Sequence, residues 1–135
     1  MKPVLISKEI LEAMVQHARE EAPLECCGLL TGAGEQITHL TRMNNVLRSD
    51  RRYSMDPKSL FSFFKHLRSV RLKHLGIYHS HPSSEAYPSR IDVDECYYPE
   101  CAYLIVSLKD TQSPSVRAFS ISDQSVAERD LQIVD

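Results

Sequence analysis

Two histidines separated by one residue, His79-Ser80-His81, lie near the middle of the chain, and Asp92 follows eleven residues after the second. Leu75 to Ser80 reads as a short strand, so His79 and His81 point to one face with Cα atoms roughly 7 Å apart. Imidazoles so placed can converge on one ion at about 2.0–2.1 Å per Zn–N bond. The segment between carries Pro82 and Pro88, and Ser89 can cap a short helix starting near Arg90. Such a helix start would set the direction of the Asp92 carboxylate. Two imidazoles and one carboxylate leave a fourth tetrahedral position for water, the pattern of a catalytic rather than a structural zinc. On residue types and spacing alone, a metal centre and an ordinary pair of histidines both stay open.

These side chains need elements to hold them. Val4-Leu5-Ile6 reads as a short strand, and Ser7 can cap a helix over 8–21 whose apolar positions Ile10, Leu11, Met14, Val15 and Ala18 recur at helical spacing. Pro23 ends that helix. Cys26 to Thr31 is a small-to-apolar run closed by Gly32-Ala33-Gly34, a buried strand and a turn. Gln36 to Met43 forms a second strand, and Arg52 to Met55 a candidate third. Pro57 suits the first turn of a helix over 57–71, with Leu60, Phe61, Phe64, Leu67 and Val70 on one face. The aromatics Phe61, Phe63 and Phe64 are expected in the core. Ala102 to Leu108 is a central strand, Val116 to Ile121 another, and Val126 to Val134 a last one. Strands and helices mix without strict alternation, so the expected class is α+β, a sheet flanked by helices. With 135 residues, no repeat and no linker, one domain over 1–135 is expected.

Composition narrows the chemistry. Hydrophobic residues at 42% and charged residues at 25% describe a globular chain, and no apolar run is long enough to span a membrane. The start, MKPVLISKEI, has no long apolar segment, so no secretory signal is expected and the cytoplasm is the expected location. A net charge of −2 argues against a dedicated nucleic-acid binder. The charge is uneven, however. Nine Lys/Arg fall between Arg42 and Lys73 against Asp50 and Asp56, while five acids fall between Glu85 and Glu100 against Arg90. A solvated face and a docking patch both fit that polarity. With four glycines, neither a GxxxxGK nor a GxGxxG loop is present, and GxSxG and HExxH are absent too. Cys26, Cys27, Cys96 and Cys101 form no CxxC pair and are expected to be free buried thiols in a reducing compartment.

The stretch His79-Ser80-His81-Pro82, with Pro88-Ser89-Arg90-Ile91-Asp92, resembles the JAMM motif of the JAB/MPN metalloproteases. Seven residues separate His81 from Ser89 and two separate Ser89 from Asp92, as that motif requires. Upstream, Glu25-Cys26-Cys27-Gly28-Leu29-Leu30 looks like the family's catalytic-glutamate segment. The resemblance implies that His79, His81 and Asp92 bind one Zn2+ with water as the fourth ligand. It implies that Glu25 is the general acid/base and that Ser89 hydrogen-bonds the developing oxyanion. It further implies an MPN fold, a mixed curved sheet between helices, in a zinc metallopeptidase or isopeptidase. The bond cut would lie at the C-terminus of a ubiquitin-like protein. At this length the chain is close to a bare core and resembles compact prokaryotic members acting on ThiS/MoaD-type sulfur carriers with a Gly-Gly tail. A homodimer is compatible with the family, whereas neither nucleic acid nor membrane is an expected partner. The alternative is a non-catalytic MPN scaffold, although such modules usually lose motif residues that this chain keeps.

Overall fold

The computed structural model describes residues 1–134. Its elements run β1 (Val4–Ser7), α1 (Lys8–Glu21), β2 (Cys27–Gly32), β3 (Gln36–Ile37), β4 (His39–Met43), α2 (Pro57–Leu67), β5 (Lys73–His81), α3 (Arg90–Asp94), β6 (Ala102–Ser107), β7 (Ser115–Ser122), β8 (Ser125–Arg129) and β9 (Leu131–Val134). A six-stranded sheet has the order β4-β2-β5-β6-β7-β8, and a smaller sheet the order β3-β1-β9. In the larger sheet β5 and β6 pair in parallel and the other neighbours pair antiparallel, so the sheet is mixed as expected. A parallel pair cannot be joined by a hairpin. The crossover from β5 to β6 is the segment that carries the loop after His81 and α3.

The central strands are buried on both sides, and their side chains alternate between two cores. On one side Leu30, Tyr78, Leu104, Val106 and Ala118 pack with Ile6 of β1 and with Met14 and Ala18 of α1. On the other, Leu29, Ile77, Tyr103, Ile105 and Phe119 pack beneath Tyr53, Leu60, Phe63 and Val93. His79 and His81 fall on this second side, two and four residues after Ile77. Gly28 lets the pairing of β2 with β5 close up, because a Cβ there would stand 2.3 Å from the Tyr78 ring. The Tyr78 hydroxyl meets His17 Nδ1 at 2.7 Å inside the first core.

Several expected boundaries shift for identifiable reasons. The strand expected over 36–43 divides at Thr38: Gln36–Ile37 pairs with β1, while His39–Met43 pairs with β2. The strand expected over 126–134 divides at Asp130 in the same way, its halves joining different sheets. A period-two pattern continues through such a transfer, so it does not mark the break. Arg52–Met55 forms no strand; a single bridge joins Met55 to Asn45. Ser7 occupies the N-cap of α1 without a side-chain capping bond. α2 stops at Leu67 rather than 71, where Ser69 N and Ser69 Oγ both donate to the His66 carbonyl and tighten the last turn. The expected aromatic core of α2 is corrected as well. Phe61 is 67% exposed, Phe63 and Phe64 are only half-buried, and no residue of α2 is fully buried.

Candidate metal centre and active site

The last turn of β5 and the first turn of α3 meet. His79 Nε2 and His81 Nε2 lie 3.1 Å apart, and Asp92 Oδ2 is 3.1 Å from the first and 3.0 Å from the second. Ligands at about 2.0–2.1 Å from a tetrahedral ion stand roughly 3.3 Å from one another, so this triangle has the size that such an ion requires. All three residues are buried, His79 being 1% and Asp92 8% exposed. Buried polar groups held this close, with no apolar filling between them, are costly unless something bonds to all three.

The surroundings aim each group. His81 Nδ1 lies 2.8 Å from the Glu85 carbonyl, an acceptor only, so Nδ1 carries the hydrogen. In the neutral ring that leaves the Nε2 lone pair directed at the triangle, the support commonly found behind a metal-bound imidazole. The loop that supplies Glu85 is held by Ser107 Oγ, which donates to the Ser84 carbonyl at 2.6 Å. His79 is stacked by Tyr53, ring centroids 4.7 Å apart. Ser89 and Asp92 form a capping box: Asp92 N donates to Ser89 Oγ, and Ser89 N donates to Asp92 Oδ2 at 2.9 Å. The Ser89 oxygen is used as an acceptor there, which leaves its O–H hydrogen free to donate.

Burial alone would raise the Asp92 pKa, but the His79 charge and the hydrogen bonds from His79, His81 and Ser89 N outweigh it, holding the carboxyl well below the usual range. Burial lowers that of His81; the Asp92 hydrogen bond and the Glu85 carbonyl reverse this and raise it.

Glu25 stands two residues before the first residue of β2 and is 3% exposed. Burial first, and then the Asp92 charge, push its carboxyl up to about 8, while the His81 charge acts in the opposite sense. The β2–β5 register sets Cys27 opposite His79, and Cys26 is bonded to Ser80, so the Glu25 segment lies beside the histidine strand. Its Oε1 has no hydrogen-bond partner among the described residues. Its backbone is fastened on both sides: Glu25 N donates to the Ser49 carbonyl, and the Glu25 carbonyl accepts from Asn45 Nδ2 at 3.1 Å.

Asn45, Ser80 and Tyr53 are the supporting residues that motif spacing did not single out. Asn45 also donates to the Arg52 carbonyl and accepts from Leu47 N and Ser54 N, so one amide knits the loop beside Glu25. Ser80 Oγ accepts from Cys26 N, and Ser80 N donates to the Cys26 carbonyl, which locks the Glu25 segment to the histidine strand. An asparagine opening a polar loop is a readable signal; the stacking of Tyr53 on His79 has none in the sequence. A cavity of about 150 Å³ opens on Asp92 and is lined by Tyr53, Met55, Ile91, Tyr97 and Tyr103. All four cysteines are free thiols, and burial pushes Cys26 up to about 11 and Cys27 and Cys101 to about 12, which disfavours the thiolate in these three.

Residues 7–122 match the family described as prokaryotic homologs of the JAB domain. The chain is 32% identical over 134 residues to the CysO-cysteine peptidase of Mycobacterium tuberculosis, covering 98% of this chain and 92% of that protein. It is 32% identical over 109 residues to the desampylase of Haloferax volcanii, covering 76% of this chain and 78% of the relative. Among solved structures, protein DSY2949 of Desulfitobacterium hafniense superimposes with a TM-score of 0.87 at 33% identity, covering 97% of this chain and 92% of that one.

Proposed function

The chain belongs to the family of prokaryotic homologs of the JAB domain, and from that premise we propose that it is a zinc-dependent peptidase or isopeptidase. Its substrate would be a conjugate at the C-terminus of a ubiquitin-like or sulfur-carrier protein. The observation that carries this reading is the convergence of His79 Nε2, His81 Nε2 and Asp92 Oδ2, each within 3.1 Å of the others, beside the segment that carries the buried Glu25 carboxyl. Relatives named for hydrolysis of CysO-cysteine and for desampylation support the hydrolase class and the kind of substrate.

His79, His81 and Asp92 would hold the ion. Zinc bound there supplies Lewis acidity, polarising a carbonyl oxygen and bringing the pKa of water toward about 7. Glu25 accepts a proton from the attacking water at its free Oε1 and delivers it to the leaving amine, so water and amide become acid and amine. The Ser89 hydroxyl donates to the oxygen that becomes negative as the carbonyl turns tetrahedral. The cavity beside Asp92, with Tyr53 and Tyr97 in its lining, would receive a Gly-Gly tail, whose lack of side chains lets its backbone approach closely.

The test is cleavage of a carrier–amino-acid adduct by the zinc-loaded protein. Glu25→Ala should lower turnover by about 100-fold to 10,000-fold while zinc content stays as in the wild type and the protein still melts in one cooperative transition. Equal turnover by the variant, or no cleavage by a zinc-loaded wild type, would exclude the proposal.

A further inference from the structure

The cation excess between Arg42 and Lys73 has no part in the chemistry above, and the structure concentrates part of it in one place. β4 borders the six-stranded sheet and pairs only with β2, so alternate backbone N–H and C=O groups of His39–Met43 face away from the sheet. Exposed edges are usually blunted by short length, charged side chains, proline or a bulge, and of these β4 has only its five-residue length and Arg42. β4 contains no proline, and its register with β2 is continuous over all five residues. α2 stands off from this edge with none of its residues fully buried, leaving a groove of about 690 Å³ between helix and strand.

Thr41 and Met43 line the strand side of the groove; Lys58, Ser62, Phe63 and His66 line the helix side. His39 and Arg42 also border it, and no Asp or Glu does. Arg42 is engaged by Glu20 at 3.0 Å, whereas Lys58 is in no ion pair among the described residues. The groove thus offers an unpaired strand edge, an apolar floor and a cation held in no ion pair.

We propose that this groove docks an extended acidic peptide segment of a partner protein, which adds as a further strand to β4 with acidic side chains facing Lys58 and His66. Main-chain hydrogen bonds supply the affinity of such an added strand, and alternate side chains supply its specificity. Five residues of β4 give a paired length of about 17 Å. At its far end the groove reaches Asn44, next to the Asn45 amide that holds the Glu25 carbonyl, so a docked segment runs up to the border of the catalytic cleft. The metal triangle lies on β5 and α3, with β2 between β4 and β5, so docking needs neither the ion nor Glu25.

The probe is a fluorescein-labelled decapeptide alternating Glu with Val and Thr, read by anisotropy against the full chain, beside the same alternation with Lys. The acidic peptide should bind, and the double variant Lys58→Glu, His66→Glu should weaken it by about tenfold or more. N-methylation of alternate peptide amides should abolish binding, and hydrogen exchange should show new protection at residues 39–43. Chelation and Glu25→Ala should leave binding unchanged, which separates this inference from the proposed hydrolysis. Absent binding, equal binding of the basic peptide, indifference to charge reversal or to N-methylation, or protection outside β4 would each overturn it. So would protection of residues 39–43 that rises with protein concentration and no peptide, since a second copy would then fill the groove.

Discussion

α2 and the β5–α3 junction are opposites. α2 has regular apolar spacing, yet none of its residues is fully buried and Phe61 is 67% exposed. The junction is rich in polar atoms, yet His79, Ser80, His81 and Asp92 are all buried. Periodicity describes which side chains share a face, and burial depends on what that face meets. At the junction each polar group is answered by another: Ser80 by Cys26, His81 by Glu85, Asp92 by Ser89 and both histidines. Three buried side-chain atoms are left over among the described residues: Glu25 Oε1, which the proposed chemistry would use, and His79 Nδ1 and His74 Nε2, which it would not. A buried polar cluster with a few unanswered atoms therefore points to function more reliably than an amphipathic stripe does.

The largest effect is expected where an apolar side chain is enclosed. Phe119 is fully buried in the core beneath the histidine face, and Phe119→Ala should cost about 3–5 kcal/mol in a denaturant titration. Ser89→Ala sharpens the contrast at the junction. Loss of the cap should cost about 1 kcal/mol of stability. Loss of the oxyanion donor should lower kcat by about 100-fold with zinc content unchanged. A change in stability alone would restrict Ser89 to capping.

The Glu25 carboxyl gives a pH test on protein stripped of metal by a chelator. Its folded pKa is raised from 4.5 to about 8, so its contribution to stability is full below 4.5 and is lost as pH rises through 8. Within that window the loss runs at about 1.4 kcal/mol per pH unit. Glu25→Gln should remove that slope and make the stripped variant more stable than the wild type at pH 8, as read by thermal melts across pH. Parallel melting curves would show that the carboxyl is not confined as described. The smallest effect belongs to α2: Phe61→Ala should change stability by no more than about 0.5 kcal/mol. A loss near that of Phe119→Ala would break the comparison.

Much of this arrangement was legible beforehand. The spacing of His79, His81, Ser89 and Asp92 was readable because a strand and a helix cap impose fixed directions on nearby side chains, whereas Glu25 entered only through the resemblance of its segment to that of the JAB/MPN metalloproteases. Strand β2, helix α1 and the central strand β6 were readable because dense apolar runs and 3.6-residue spacing are local. The division of 36–43 and 126–134 between two sheets was not legible, since a strand that changes partners keeps its alternation. Nor was the exposure of Phe61, since the sequence does not say how far α2 stands from the sheet.

Residue order by itself determined the spacing of His79, His81, Ser89 and Asp92, an α+β chain, and the charge imbalance along it. Tertiary structure alone decided that β2 and β5 pair, which brings Glu25 to the histidines across more than fifty residues. It alone decided that Asn45, Ser80 and Tyr53 brace the site and that a cationic groove opens along β4. The reason is physical: bond geometry and side-chain direction act over a few residues, whereas burial, a raised carboxyl pKa and an unpaired edge arise only when distant segments exclude water together.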